Sequence, residues 1–159
     1  MGADFLIMAC NTAYYYYDRI IPFIKIPMLN MIDETAREIA KLKIKTVGLL
    51  ATDGVLESKV YEDKLQEYKI NITKPSKDGQ KAVMALIYKG IKAADYSLDI
   101  TNFRGVLEEL YEGGAEALIL GCTELPLAFE MFRLQGQTID PTKILAERAV
   151  EFAFKSKYN

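Results

Sequence analysis

The chain contains two cysteines, Cys10 and Cys122, and no histidine. Without histidine, the commonest general base and the commonest zinc ligand are both missing. The cysteines are too far apart in the chain to form a CxxC redox pair or a compact metal-ligand set. A lone free thiol is ordinarily a small buried hydrophobe. The setting of these two suggests more. Each ends an apolar run and is followed by small polar residues: Leu6-Ile-Met-Ala-Cys10-Asn-Thr and Leu118-Ile-Leu-Gly-Cys122-Thr-Glu. Both thiols are therefore predicted where a strand hands over to a helix, the edge at which open α/β sheets bind ligands. Free N–H groups and the partial positive charge of a helix start favour anions there. Such a position is expected to lower a thiol pKa from about 8.5 and so to favour thiolate chemistry. A carboxylate could dock on the same N–H groups and on the side chains of Asn11, Thr12 and Thr123. Thr52-Asp53-Gly54, which follows the apolar run ending at Ala51, is a third polar loop of this kind.

Strands and helices must alternate to place these loops. Residues 5–9 and 117–120 read as strands buried on both faces, and 46–51 reads the same way. Asn11 and Thr12 offer N-cap chemistry for a helix starting near Ala13. Ile32, Ala36, Ile39 and Ala40 predict a helix over 31–42. Tyr61, Leu65 and Tyr68 form one stripe of a helix over 55–68, and 70–73 is a short strand ended by Pro75. Val83, Ile87 and Ile91 mark a further helix. Phe103, Val106, Leu107, Leu110 and Tyr111 mark another, closed by Gly113-Gly114. Asp140-Pro141 is an N-cap followed by proline at the first helical position, and Ile144, Leu145, Ala149 and Phe152 line the last helix. This alternation predicts βαβ units and a parallel sheet.

Composition narrows the function further. At 159 residues, 50% hydrophobic and 26% charged, the chain has a globular rather than a disordered composition. A net charge of −2 gives no basic footprint for nucleic acid or a membrane surface. No apolar run is long enough for a transmembrane helix, and the start lacks the basic flank of a signal peptide. Two free thiols without a secretion signal point to a reducing cytoplasm.

The segments Cys10-Asn11-Thr12-Ala13, Ala51-Thr52-Asp53-Gly54 and Gly121-Cys122-Thr123-Glu124-Leu125-Pro126 resemble the aspartate/glutamate racemase family. Pro27-Met-Leu-Asn30-Met-Ile-Asp-Glu34-Thr35 and Ile139-Asp140-Pro141-Thr142 add to the resemblance, which runs from about residue 2 to about residue 150. It implies a cofactor-independent amino-acid racemase of two Rossmann-like or flavodoxin-like α/β lobes with parallel sheets, commonly a homodimer, with the active site between the lobes. Cys10 and Cys122 would be its acid and base, one thiolate and one thiol exchanging roles with the direction of reaction. Asn11, Thr12, Thr52, Thr123 and Glu124 would line the site of a small amino-acid or dicarboxylate substrate, with Glu124 on its ammonium. Lys92 is the best match to a lysine that contacts the side-chain carboxylate in aspartate racemases, with Lys89 close by. The Tyr14-to-Tyr17 run is expected to mix packed and exposed rings, since four consecutive residues spread around every face of a helix.

The chain also departs from the family pattern. Members usually begin with a strand and a Gly-Gly-Met-Gly-Pro loop, whereas this chain starts almost at the Cys10 strand. Tyr14 stands where the family often has histidine. The first lobe is therefore expected to be incomplete, formed by 1–43 with the tail helix 141–159, and the second lobe to span 44–140. An exposed apolar surface should follow. A non-catalytic carboxylate-binding or dimerising α/β domain, a hydantoin racemase and a maleate isomerase are the alternatives. No Cys10–Cys122 disulfide is expected, because a gap wide enough for an amino acid exceeds the Cα separation of about 7 Å that a disulfide tolerates.

Overall fold

A computed structural model describes residues 2–157. The chain begins with an extended segment, a 3-10 turn at Thr12–Tyr16 and helix α1 (Tyr17–Ile20), and continues through helix α2 (Met31–Lys41). Strand β1 (Thr46–Ala51) follows, then α3 (Asp53–Ser58), α4 (Val60–Glu67) and β2 (Asn71–Thr73). Helix α5 (Lys77–Ala85) runs directly into a π-helical segment, Leu86–Lys92. The chain ends with α6 (Thr101–Glu112), β3 (Ala117–Gly121), α7 (Leu125–Met131), β4 (Thr138–Ile139) and α8 (Pro141–Lys157).

The strands form one parallel sheet in the order β2-β1-β3-β4. Central strands β1 and β3 are wholly apolar apart from Thr46 because helices cover both of their faces. Val47, Leu49, Ala51, Ala117, Ile119 and Ile139 face α2, α4 and α8, packing on Ile39, Tyr61, Leu65 and Leu145. Leu50, Leu118 and Leu120 face α5, α6 and α7, packing on Val83, Phe103, Leu110 and Phe129. Gly48 interrupts the apolar pattern for a steric reason: a Cβ there would come within 2.7 Å of Leu118 Cδ2. Helix α2, grouped with the first lobe on sequence, packs on the sheet beside α8, and Arg148 of α8 pairs with Glu34 and Glu38 of α2. No helix among the described residues is long and apolar enough to cross a membrane.

Several local expectations are corrected. Residues 5–9 are not a strand buried on both faces. Only Leu6 forms a bridge, to Met28, with its N–H on the Pro27 carbonyl and its carbonyl accepting from Leu29. Among the described residues nothing pairs with its other edge, and Leu6 and Ile7 stay 37% and 47% exposed. Asn11 and Thr12 cap no helix; Asn11 is itself in αR geometry, with its side chain turned to another partner. The helix expected over 55–68 is two helices. The Ser58 hydroxyl donates back to the Val55 carbonyl and Lys59 adopts φ +56°, which turns the chain between α3 and α4. Asp140 does cap α8, accepting from Thr142 and Lys143 N–H.

Candidate active site

Strands β1 and β3 are parallel and in register to their last residues, Ala51 opposite Gly121. Thr52 and Cys122 therefore emerge side by side at the carboxyl edge of the sheet. The N-terminal segment reaches the same edge from outside the sheet. Tyr14 is buried there and donates its hydroxyl to the Leu29 carbonyl, which fixes the turn beginning at Thr12. Thr12 Oγ1 lies 3.5 Å from Thr52 Oγ1, and a Cβ on Gly54 would meet the Thr12 methyl at 3.3 Å. Glycine at position 54 thus lets the Cys10-Asn11-Thr12 loop seat against the start of α3.

A pocket of about 250 Å³ opens between these loops. It is lined by Cys10, Asn11, Thr12, Thr52, Lys92, Cys122, Thr123 and Glu124, all singled out on sequence. Lys89 lies on a neighbouring cavity instead. Both thiols are free, Cys10 exposed and Cys122 half-buried. The tyrosine run divides as its spacing implies: Tyr14 is buried, Tyr17 is half-buried, and Tyr15 and Tyr16 are exposed. Among the described residues no three His, Cys, Asp or Glu side chains cluster as metal ligands.

The second half of the pocket is a tight polar network. Cys122 Sγ donates to Glu124 Oε2 at 2.9 Å, and Thr123 Oγ1 donates to the same oxygen at 3.0 Å. Lys92 Nζ pairs with the other carboxylate oxygen at 2.7 Å and sits over the Tyr88 ring, 5.6 Å from its centroid. Burial pushes the Cys122 thiol up to about 12, and the adjacent Glu124 carboxylate adds to the rise. This reverses the lowering expected from its place before a helix. The nearest acceptor to the thiol is an anion, and the half-buried sulfur is poorly solvated. For Glu124, burial acts to raise the pKa, but hydrogen bonds from Cys122, Lys92 and Thr123 outweigh it and hold the carboxyl at about 2. Glu124 also raises the pKa of Lys92.

Sequence reasoning missed part of the wall, Met84 and Tyr88; Gly54 and Gly121, which also line it, stand within the quoted motifs. Met84, Tyr88 and Lys92 share an i, i+4 spacing, and the π-helical turn carries the last two to the pocket. That spacing was a readable signal; the π turn was not. Tyr61 was read as a core residue. It is fully buried, yet its hydroxyl donates to Asn11 Oδ1 at 2.6 Å.

A parallel α/β sheet with a polar, two-cysteine cleft at its carboxyl edge defines a class of ligand-binding α/β proteins. Comparison with known proteins makes the assignment specific. Residues 1–149 match the Asp/Glu/hydantoin racemase family model, and the chain belongs to that family. It is 27% identical over 149 residues to the broad specificity amino-acid racemase RacX of Bacillus subtilis, covering 94% of this chain and 64% of that protein. It is 35% identical over 129 residues to an uncharacterized protein in the pnlA 3' region of Pectobacterium carotovorum, covering 80% of this chain and 85% of that one. The solved Picrophilus torridus aspartate racemase superposes with a TM-score of 0.75 at 32% identity, over 96% of this chain and 63% of that chain. The chain thus spans somewhat under two thirds of the Bacillus and Picrophilus racemases.

Proposed function

We propose that this chain carries out, or contributes the site for, cofactor-independent racemisation of an amino acid of the aspartate or glutamate class. The observation that carries this reading is the convergence of two free thiols and a ring of carboxylate-binding donors on one pocket of about 250 Å³. Inverting an α-carbon needs a base on one face and an acid on the other. Cys122, with its thiol pushed up to about 12, rests as the acid. Cys10 takes the α-proton while Cys122 delivers its own from the opposite face, leaving a thiol at Cys10 and a thiolate at Cys122. The reverse reaction exchanges the roles. Asn11, Thr12, Thr52 and Thr123 donate to the α-carboxylate, where negative charge accumulates in the carbanion-like transition state.

The Lys92–Glu124 pair occupies the pocket with a cation and an anion of its own. An acidic amino acid supplies the complementary set. Its ammonium takes Lys92's place on Glu124, and its side-chain carboxylate takes Glu124's place on Lys92. Lys92 is 45% exposed, so swinging it to a new partner costs little. The reading places the reaction in a reducing, cytoplasmic compartment, which two free catalytic thiols require. It also makes a homodimer the working form, supported by exposed Leu6, Ile7 and Phe23 on the N-terminal segment. The lobe division belongs to the same reading: residues 1–43 with the tail helix 141–159 stand for the first lobe, which delivers Cys10, and residues 44–140 for the second, which delivers Cys122.

The test is α-hydrogen exchange. Aspartate and glutamate incubated with the protein in D2O should gain deuterium at Cα, followed by NMR. Cys10→Ser and Cys122→Ser should each abolish racemisation. A folded wild-type sample that exchanges neither substrate overturns the reading and leaves a carboxylate-binding domain.

A further inference from the structure

Asn11 is 3% exposed, and its Nδ2 is buried with no hydrogen-bond partner among the described residues, although the residue lines the pocket. A buried donor left unpaired is destabilising, so such groups ordinarily have a use. The Tyr61 hydroxyl donates to Asn11 Oδ1 at 2.6 Å, which leaves Nδ2 as the unmatched end. Tyr61 lies on α4 and packs among Val47, Leu65 and Tyr14 in the sheet core, outside the pocket lining. Burial pushes its phenol well above the ordinary value, so it remains a donor at any working pH.

We propose that Tyr61 is a positioning residue for the site: its hydroxyl holds the Asn11 amide so that Nδ2 presents a fixed, unpaired donor to the substrate carboxylate. This rests on the carboxylate-binding reading of the pocket and adds a residue that does not touch the ligand. It gives α4 a second task beside packing. The contact ties the N-terminal segment that delivers Cys10 to the sheet that delivers Cys122, with a separation of 50 residues between the partners. A donor fixed before the ligand arrives needs no reordering on binding. The carboxylate it holds gains charge in the transition state, so loss of the fixed donor should lower kcat/KM, with kcat falling as well as KM rising.

The experiment compares wild type, Tyr61→Phe, Asn11→Leu and Tyr61→Phe/Asn11→Leu. Phenylalanine keeps the buried ring and removes only the hydroxyl. Leucine keeps the approximate shape of Asn11 and removes the Nδ2 donor without adding charge. Two readouts are taken with L-aspartate: the exchange kinetics, and the Asn11 side-chain amide resonances in 15N NMR. Tyr61→Phe should lower kcat/KM about tenfold and should weaken the aspartate-induced shift of the Asn11 amide. In the Asn11→Leu background, Tyr61→Phe should cause no further loss, because the donor it positions is already gone; a purely structural tyrosine would add its own loss. If Tyr61→Phe proves unstable, the wild-type titration still decides, since saturating L-aspartate must shift the Asn11 side-chain amide. Equal kcat/KM and equal amide shifts in wild type and Tyr61→Phe, or a wild-type Asn11 amide unmoved by saturating aspartate, overturn the proposal. A wild type whose Asn11 amide responds but which exchanges no α-hydrogen overturns the racemase reading alone.

Discussion

Replacing Glu124 by Gln should make Cys122 a markedly better nucleophile. In the wild type the thiol donates to the Glu124 carboxylate at 2.9 Å and is pushed up to about 12. At pH 8 a group with that value is ionised in about one molecule in 10⁴. Burial is the larger cause and survives the substitution. The charged acceptor does not survive it. A hydrogen bond to a charged group is worth about 1.5–3 kcal/mol, and about 1.36 kcal/mol corresponds to one pH unit. Glu124→Gln should therefore lower the thiol by about one to two pH units and leave it above the free-thiol value of about 8.5. Lys92, stripped of its pair, acts in the same direction. The assay is iodoacetamide alkylation of Cys122 in a Cys10→Ser background, followed by mass spectrometry across a pH series. Alkylation at pH 8 should accelerate about 10- to 100-fold. The pH midpoint, not the absolute rate, separates ionisation from a change in access. An unchanged midpoint, or one that rises, would refute the claim that Glu124 keeps Cys122 protonated.

Glu124 is held at about 2 against an ordinary value of 4.5, so the stability it contributes is full above the ordinary value and is lost as pH falls toward the lower one. Urea unfolding measured between about pH 5 and pH 2 should lose stability less steeply in Glu124→Gln than in wild type; parallel curves would contradict this. At Gly121 a Cβ would stand 3.0 Å from Ala51 Cβ and 3.1 Å from the Leu50 carbonyl oxygen, and backbone cannot step aside. Gly121→Ala should cost about 1–3 kcal/mol in denaturant unfolding, and a change below about 0.5 kcal/mol, typical of an unstrained surface site, would count against that packing.

The alternation of strands and helices, the parallel sheet and the two cysteine loops were legible because they depend on local pattern. An apolar run such as Ala117–Gly121 can be satisfied only between two covering layers, and a polar loop after it must emerge at the sheet edge. The motif residues lie within three positions of the ends of these apolar runs, apart from Lys92, so sequence alone could place them on one rim. What depends on a partner distant in the chain was not legible. Residues 5–9 carry the same apolar signature as β3, yet only Leu6 pairs, because a strand exists only where neighbours supply its hydrogen bonds. The sign of the Cys122 pKa could not be read either. Helix-start position argued for lowering, but the tertiary fold decided how far the sulfur is buried and turned an anion, Glu124, toward it. Tyr61 looks like any core aromatic in its stripe, and the docking of a segment 50 residues away gives its hydroxyl the Asn11 acceptor. Periodicity encodes which face is apolar; it does not encode what a buried polar atom will meet. Here the sequence by itself determined most of the elements, the family and the motif residues of the pocket rim, and the tertiary structure decided their ionisation and their hydrogen bonds, because both are set by distance and burial between residues remote in the chain.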